Sequence, residues 1–367
     1  MFLASEFKVN FSFQILLIQF APCNFFYMLS IEKGVSLKPY TTFGIDCTAK
    51  YFCAITSVSD LQELISTEFF NNEKHLILGR GSNVLFTQDF DGLVIHNSIK
   101  GIETVSENDE KIVLKISSGE LWHEVVMHCV KNNWGGIENL SLIPGTMGAA
   151  PIQNIGAYGV EVKNVIDRVE IIDLSTSVIR SLSNEECRFG YRESVFKHEL
   201  KKNIFISSVT LTLTKKNHQI NTSYGALTTT LHQMNVFEFT PQTISDAVIK
   251  IRTEKLPDHQ KMGNAGSFFK NPEIAEKLFH QLQLQYPEIP HYPSANQQVK
   301  IPAGWLIERC GWKGKRIGDA GVHAHQALVL VNYGNASGEE IFSLSKKISA
   351  AVQEKFSITL TPEVNIF

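Results

Sequence analysis

Apolar and polar positions alternate with different periods along the chain. Between residues 37 and 97 the pattern predicts a strand ("AKYFCAI"), a helix ("SVSDLQELISTEF") and a buried strand ("KHLILG"). Ser57 or Ser59 is the expected N-cap of that helix. Its apolar face consists of Leu61, Leu64 and Ile65. From Gly101 to about Thr214, short β-branched strands separated by turn residues surround a single helix, "LWHEVVMHCVKNN".

The pattern of apolar positions changes after about residue 215, where helical periodicity dominates. "PQTISDAVIKIRTEKL" and "IAEKLFHQLQLQYP" are predicted helices, and "QALVLVNYGNA" is a predicted strand. Ser337 and Glu340 form a capping box before a long helix. The apolar face of this helix consists of Ile341, Leu344, Ile348 and Val352. "SITLTPEV" is predicted to close the chain as a strand, with Ile358 and Leu360 on one side.

These patterns predict an α+β protein with three consecutive parts, 37–100, 101–214 and 215–367. The third part reads as a separate α/β domain. The leader, residues 1–29, is apolar and aromatic but is interrupted by polar residues and a proline. It admits three interpretations: a marginal membrane anchor, a signal peptide with a weak basic region, or an artefact of gene prediction with the true start at Met28.

Composition narrows the class of protein. Hydrophobic residues make up 43% and charged residues 19%, so the chain can bury a large core. Lys plus Arg number 34 against 37 Asp plus Glu, a near balance that argues against broad binding to nucleic acid. The six cysteines include no C-x-x-C pair. A metal site is therefore not expected, and free thiols in the cytoplasm are.

The first glycine-rich loop, "LGRGSNVLF", follows a buried strand. It contains Gly79, Arg80, Gly81, Ser82 and Asn83. Glycine lets backbone N–H groups approach an anion, and the serine and asparagine side chains add donors. The spacing matches neither the dinucleotide fingerprint nor the P-loop. A β-turn in which glycine supplies the positive φ remains an equal alternative.

The second loop, "SLIPGTMGAAPIQNIGAYG", runs from Ser141 to Gly159. Its small residues leave room for something to pack against the backbone, and Gln153, Asn154 and Tyr158 provide its polar groups. A planar ring carrying a diphosphate would suit both loops together. The alternative is a segment that needs small residues only for close packing.

Several other polar residues are candidates for chemistry. Arg192, next to Tyr191, could bind a carboxylate through its planar fork, or form a surface ion pair. Ser267 lies between two glycines and two phenylalanines in "GNAGSFFKNP", where a turn bonded to its own backbone is the alternative. Glu363 follows a proline near the end of an apolar strand, although most such glutamates are exposed. Lys255 and Lys300 could bind phosphate or be solvated.

Taken in order, these segments resemble the UDP-N-acetylenolpyruvoylglucosamine reductase family, from about Leu37 to the last residue. The matching motifs are "LKPYTTFGID", "LGRGSNVLF", "ENLSLIPGTMGAAPIQNIGAYG", "CRFGYRESVFK", "KLPD", "GNAGSFFKNP", "AGWLIE" and "TPEV". The two loops alone would indicate only the wider FAD-binding superfamily that includes vanillyl-alcohol oxidase. The serine segment and the terminal glutamate narrow it to the reductases.

The resemblance implies a two-subdomain FAD-binding module of the PCMH type, followed by a substrate-binding domain. It implies non-covalent FAD, reduction by NADPH, and a UDP-sugar enolpyruvyl ether as substrate. The expected cofactor-binding residues are Gly79, Arg80, Gly81, Ser82, Asn83, Gly145, Gly148, Ala149, Gln153, Asn154, Gly156, Tyr158 and Tyr191. The expected substrate-binding residues are Tyr224, Lys255, Asn271 and Lys300.

The resemblance also implies a mechanism. Hydride passes from flavin N5 to the vinyl carbon, Arg192 and Glu363 stabilise the enolate-like charge, and Ser267 delivers the proton. Glu363 would help only if it is protonated or bonded to Arg192, and the residues alone leave both open. A monomer without stable membrane insertion is expected. Two rival interpretations are an FAD-dependent oxidase or dehydrogenase of the same superfamily and an inactive UDP-sugar binding protein.

Overall fold

The computed structural model describes residues 29–294 and 297–367. The three interpretations of the leader therefore lie outside the described residues, apart from position 29. In the described part, no helix is both long enough and apolar enough to cross a bilayer.

The first sheet has the order β1-β2-β5-β3, in which β2, β5 and β3 are parallel and β1 is antiparallel to β2. Its region contains β1 (Glu32–Ser36), β2 (Thr48–Ile55), α1 (Val58–Ile65), α2 (Glu68–Asn72), β3 (His75–Leu78), β4 (Val84–Leu85) and β5 (Phe90–Asn97). Ser57 is the N-cap of α1, and its hydroxyl accepts a bond from the Asp60 N–H at 3.1 Å. The predicted apolar face of α1 is buried, which confirms that prediction.

The second sheet is antiparallel throughout, with the order β11-β10-β12-β7-β6. Its region contains β6 (Ile102–Glu107), β7 (Lys111–Ser117), α3 (Trp122–Lys131), β8 (Gly156–Ala157), β9 (Val160–Glu161), β10 (Ile166–Asp173), β11 (Ile179–Ser183) and β12 (Ile204–Thr214). Trp122 of α3 anchors a core under this sheet. Phe205 of β12 instead packs with residues of α1, so the first two sheets share a boundary.

The third region joins an α-helical pair to two small sheets. It contains α4 (Gly225–Gln233), α5 (Pro241–Lys255), β13 (Gly263–Ser267), β14 (Glu273–Ala275), α6 (Glu276–Gln285), β15 (Tyr292–Pro293), β16 (Gln298–Lys300), α7 (Ala303–Arg309), β17 (Arg316–Ile317), β18 (Ala320–Val322), β19 (Val329–Asn332), α8 (Gly338–Phe356) and β20 (Asn365–Ile366). The sheet orders are β13-β19-β18-β17 and β14-β16-β15. Short 3-10 turns lie at Lys38–Tyr40, Glu138–Leu140, Met147–Ala149, Val162–Asn164 and Val195–Lys197. The predicted capping box of α8 is confirmed by reciprocal bonds between Ser337 and Glu340.

The predicted closing strand at "SITLTPEV" is wrong. Ile358 and Leu360 are buried as expected, but the segment forms only one isolated bridge, between Phe269 and Pro362. Proline has no N–H to donate to a ladder, which limits regular pairing at this point. The terminal strand is instead β20, which runs parallel to β4.

The largest core joins the first region to the third. Phe43 and Leu85 from the first region belong to the same buried cluster as Phe268, Ile341 and Phe356 from the third. The first two predicted parts contain one large sheet each, and the third contains two small sheets. The boundaries predicted between the three parts stay predictions. The shared core places the residues that flank the first glycine-rich loop against two segments of the third region, one that carries Ser267 and one that carries Glu363.

Candidate active site

The two glycine-rich loops lie against each other. Ser82 Oγ donates to the carbonyl of Pro144 at 3.2 Å, and Asn83 Nδ2 donates to Gln153 Oε1 at 3.0 Å. The first loop follows β3 of the first sheet, and the second follows the 3-10 turn before Ser141. Segments about sixty residues apart in the sequence thus form one polar surface.

Glycine is required at two positions of the first loop. A Cβ on Gly79 would lie 2.5 Å from Thr146 Oγ1, and one on Gly81 would lie 2.2 Å from the carbonyl oxygen of Tyr40. Gly81 also has a φ of +59°. Among the described residues, the backbone N–H groups of 80–83 have no acceptor in the protein. A row of unused donors on a glycine turn fits the diphosphate of a dinucleotide such as FAD.

Two predicted cofactor residues make close contacts within the protein, and their contact with a cofactor stays a prediction. The N–H of Gly148 donates to the Ser118 carbonyl at 2.8 Å, and a Cβ on Gly148 would lie 2.7 Å from that of Ser118. Close packing alone is sufficient to require glycine at this position. Asn154 is buried and donates its amide to the Gly190 carbonyl at 2.9 Å, while its oxygen accepts from the Lys163 N–H. It supports the loop that carries Tyr191 and Arg192.

A cavity of about 400 Å³ opens beside the second loop. It is lined by Gly156, Ala157, Tyr158, Gly159, Val160, Glu161, Asn164, Tyr191 and Arg192. Tyr158 adopts a φ of 49° in its wall, and its ring meets that of Tyr224 edge-on, with centroids 5.3 Å apart. The cavity thus unites residues predicted to contact cofactor with Arg192, and Tyr224 lies against the ring of Tyr158 in its wall.

Arg192 and Glu363 meet at this cavity. Arg192 Nε lies 2.9 Å from Glu363 Oε1, and the two side chains are only 19% and 12% exposed. Arg192 Nη2 donates to the Gly156 carbonyl at 3.0 Å, and its backbone has a φ of 55°. The Nε–H is not aligned with any acceptor in the described residues, so the contact with Glu363 is an ion pair rather than a well-directed hydrogen bond.

Ser267 is linked to Glu363 through the backbone of the residue that follows it. The N–H of Glu363 donates to the carbonyl of Phe268 at 2.8 Å, which sets Glu363 beside the residue that follows Ser267. Asn83 Nδ2 also donates to the Glu363 carbonyl, at 3.2 Å. Phe268 and Phe269 are fully buried, whereas Ser267 is exposed at the end of β13. The buried phenylalanines anchor the segment and leave the hydroxyl accessible.

Burial raises the pKa of Glu363 above its ordinary value, while the positive charges of Arg192, Lys197 and Lys270 oppose that shift. The ion pair with Arg192 favours the charged form. Of the two roles left open by the sequence, bonding to Arg192 is the one with direct geometric support. The raised pKa keeps protonation accessible closer to neutral pH.

The predicted substrate residues fall into separate groups. Lys300 Nζ lies 3.3 Å from the centroid of the Tyr191 ring and 3.4 Å from Glu273 Oε1. Asn271 Oδ1 accepts from the Ala303 N–H at 2.9 Å, so this asparagine caps α7. Tyr224 lies at the start of α4 against Tyr158, and Lys255 is the exposed last residue of α5.

Three charged residues near the site were missed by the sequence reasoning. Lys270 Nζ lies 2.8 Å from Glu193 Oε1, and Lys197 Nζ donates to the Arg192 carbonyl at 2.9 Å. All three belong to motifs that carry Arg192 or Ser267. Their clustering within those two short motifs was the available signal. In the described residues, no group of His, Cys, Asp and Glu side chains is arranged to hold a metal ion.

Two family models match the chain. The C-terminal domain of UDP-N-acetylenolpyruvoylglucosamine reductase matches residues 258–367, and an FAD binding domain matches residues 49–182. A reductase of this name from Flavobacterium johnsoniae is 49% identical over 338 residues, covering 92% of this chain and 100% of that protein. One from Pseudomonas putida is 45% identical over 336 residues, covering 92% and 98% respectively.

The fold has a solved counterpart. The crystal structure of UDP-N-acetylenolpyruvylglucosamine reductase from Thermus caldophilus covers 93% of this chain and 100% of its own, with a TM-score of 0.66 and 22% identity. At that identity it speaks for the fold alone, and together with the two family models it confirms the predicted α+β architecture. On the strength of the full-length sequence matches, the chain is an oxidoreductase that belongs to the UDP-N-acetylenolpyruvoylglucosamine reductase family.

Proposed function

We propose that this enzyme reduces the enolpyruvyl ether of UDP-N-acetylglucosamine to UDP-N-acetylmuramate, a precursor of peptidoglycan, at the expense of NADPH. The observation that carries the proposal is the contact between Arg192 and Glu363, 2.9 Å apart, beside the segment of Ser267. The guanidinium and the carboxyl are in contact, and the accessible hydroxyl of Ser267 precedes a residue whose carbonyl accepts from the Glu363 N–H, so we propose that the three groups share one cleft. These are the groups that protonation and charge stabilisation at an enol ether carboxylate require.

The two glycine-rich loops are the proposed holders of the cofactor. Backbone donors at 80–83, the exposed side chain of Arg80 and the glycine at position 145 would bind the diphosphate of FAD without a covalent link. Bound FAD supplies the hydride that the substrate accepts and is restored by NADPH. Tyr158 and Tyr191 line the cavity beside the second loop.

Arg192 is proposed to bind the substrate carboxylate. Two contacts, to Gly156 and Glu363, fix the guanidinium plane, and the remaining N–H groups are available to the ligand. Hydride addition at the vinyl CH₂ places negative charge on the carbon that bears the carboxylate. A preorganised cation at that position is worth about 3 kcal/mol of transition-state stabilisation.

Ser267 is proposed to donate its proton to that carbon, and solvent returns a proton to the alkoxide. A serine hydroxyl is a weak acid, so position within about 3 Å matters more than a matched pKa. Glu363 orients Arg192 through the ion pair. Its raised pKa, caused by burial, lets it take up a proton when a second carboxylate enters the cleft, which relieves the repulsion between them.

The UDP moiety is proposed to contact Tyr224, Lys255, Asn271 and Lys300. Tyr224 contacts Tyr158, and Lys300 contacts Tyr191; both tyrosines, 158 and 191, line the cavity. The two lysines would meet the diphosphate as point charges. A monomer in the cytoplasm is part of the same proposal, and the free thiols of the five described cysteines favour a reducing compartment.

The test separates the two halves of the reaction. Ser267→Ala holoenzyme should be reduced by NADPH at an unchanged rate, followed at 450 nm, but reoxidation by the enolpyruvyl sugar should be lost. Ser181→Ala, which removes an exposed hydroxyl from β11, is the matched control and should behave as wild type. Unchanged reoxidation in Ser267→Ala would refute the role of Ser267. Failure of the wild type to be reoxidised by this sugar would refute the substrate.

A further inference from the structure

A cluster of three charged side chains lies next to Arg192 and Glu363. Lys270 Nζ lies 2.8 Å and Lys197 Nζ 3.6 Å from the same oxygen of Glu193, so one carboxylate bridges two ammonium groups. The lysine side chains are 23% and 24% exposed, and that of Glu193 is 38% exposed. We refer to Glu193, Lys197 and Lys270 as the bridging cluster.

The bridging cluster connects two parts of the fold. Glu193 and Lys197 belong to the loop of Arg192 in the second region, whereas Lys270 follows Ser267 by three residues in the third. The Lys270–Glu193 ion pair therefore ties the proton-donor segment to the guanidinium segment. An additional contact acts on the backbone, because Lys197 Nζ donates to the carbonyl of Arg192 at 2.9 Å.

That backbone contact bears on a costly conformation. Arg192 has a φ of 55°, in the left-handed region that L-residues seldom occupy. Such a residue persists only where the surroundings determine its conformation. Lys197 on the carbonyl, with Gly156 and Glu363 on the side chain, provides that determination from three directions.

The cluster also sets the charge of the site. Leaving aside His198, whose Nε2 lies 2.8 Å from the other oxygen of Glu193, Arg192, Lys197 and Lys270 contribute three positive charges, and Glu193 and ionised Glu363 two negative charges, which leaves one positive charge in excess. Both lysines act on the carboxyl of Glu363 across the cleft. The proposed substrate brings one carboxylate, which this excess attracts, and a proton taken up by Glu363 would increase the excess.

We propose that Lys197 and Lys270, bridged by Glu193, are positioning residues that hold Arg192 and Ser267 in register across the cleft and supply the excess positive charge for the substrate carboxylate. The inference rests on the proposed function and names the part of this site that recognises the carboxylate. The contacts of the two lysines are to Glu193 and to the backbone carbonyl of Arg192, so we assign them a positioning role that acts through the other residues of the site.

The test uses holoenzyme of Lys270→Met, Lys197→Met, Glu193→Gln and the conservative Lys270→Arg. Lys115→Met, which breaks a 2.9 Å ion pair with Glu170 on the second sheet, is the matched control. The dissociation constant of the enolpyruvyl sugar for oxidised enzyme is measured from the change in flavin absorbance. We expect about tenfold weaker binding in the two methionine variants, corresponding to the loss of one nearby charge. Lys270→Arg should bind nearly as well as wild type.

A second readout separates a charge effect from a merely structural one. The pH dependence of kcat/KM for the sugar is recorded, and Glu363→Gln identifies the limb that belongs to Glu363. The charged and titratable groups that face this carboxyl are Arg192, Lys197, Lys270 and Tyr191. Removal of a lysine should move the limb to higher pH by about one unit, because the ionised carboxylate loses a cation. Glu193→Gln should move it to lower pH, because a like charge is removed.

Shifts of opposite sign, with Lys115→Met unchanged and Lys270→Arg close to wild type, would establish the inference. Shifts of the same sign, no shift, or equal losses in Lys270→Met and Lys115→Met would overturn it. Failure of the proposed function looks different, since wild-type holoenzyme would then neither bind the sugar nor be reoxidised by it.

Discussion

Replacing Arg192 by lysine keeps the positive charge of the site and removes its planar fork. In the structure, Nη2 bonds to the Gly156 carbonyl at 3.0 Å while Nε lies 2.9 Å from Glu363. A lysine ammonium is a point charge that cannot meet both partners and also present a forked pair of donors to a ligand. Arg192→Lys therefore isolates geometry from charge.

The expected loss can be worked from these contacts. An ammonium drawn to Glu363 leaves the substrate carboxylate without its forked donor, and loss of one such preorganised donor costs about 3 kcal/mol. At 1.36 kcal/mol per factor of ten, turnover should fall about 150-fold. The loss should appear in kcat more than in the affinity for the sugar, because the interaction strengthens as charge develops.

Stopped-flow reoxidation of the reduced enzyme by the enolpyruvyl sugar measures this step alone. NADPH reduction and the amount of bound flavin should stay near wild type, since the first glycine-rich loop is untouched and the second loses only the single bond from Arg192 to the Gly156 carbonyl. Arg168→Lys, which changes an exposed arginine paired with Asp167, is the control and should alter the rate by no more than about twofold. Reoxidation within a few-fold of wild type in Arg192→Lys, or a loss confined to KM, would refute the reasoning.

Three further predictions concern the scaffold. Gly79→Ala should weaken the binding of FAD to apoprotein about tenfold, since overpacking against Thr146 costs about 1–3 kcal/mol. The double variant Gly79→Ala/Thr146→Ala should restore FAD binding. A titration in which Gly79→Ala alone binds FAD normally would contradict the clash. Phe205→Ala should lower the free energy of unfolding by about 3–5 kcal/mol in urea titrations, whereas Phe237→Ala, 91% exposed in wild type, should change it by about 0.5 kcal/mol or less. Burial raises the pKa of Cys129 to about 12, so the stabilisation of the fold by its neutral thiol is complete below the ordinary pKa of 9.0 and is lost as the pH rises towards 12. At pH 8 this thiol should resist disulfide reagents in the native protein and react once urea unfolds the chain. Rapid labelling of the native protein would contradict this prediction.

Local signals in the sequence predicted most of the regular structure. Ser57 and Ser337 begin helices where their side chains can accept a backbone N–H, and this depends only on nearby residues. The closing strand failed because its pairing depends on Phe268, nearly a hundred residues earlier, and on a proline that cannot donate. α4 was missed, and its hydrophobic pattern is weak, with threonines at three successive positions.

The motifs indicated Arg192, Ser267 and Glu363 as site residues, and their catalytic roles stay predictions. The structure adds that Arg192 and Glu363 are in contact, which the sequence left open. Nothing local indicated that Asn154 would bond to the backbone at Gly190, or that Lys270 would form an ion pair with Glu193. Such partners are decided by tertiary packing, which brings together side chains whose sequence separation carries no signal.

The core shared by Phe43, Leu85, Phe268 and Phe356 has a consequence for biosynthesis. A nascent chain that has emerged only as far as residue 214 exposes one wall of this core and leaves β4 without β20. The residues of the first region in this core can therefore complete their packing only after Phe268, Phe356 and β20 have been synthesised. Closing so long a loop is slow. We therefore expect the incomplete chain to expose apolar surface of the kind that chaperones bind. A fragment that ends at residue 214 should bind flavin poorly.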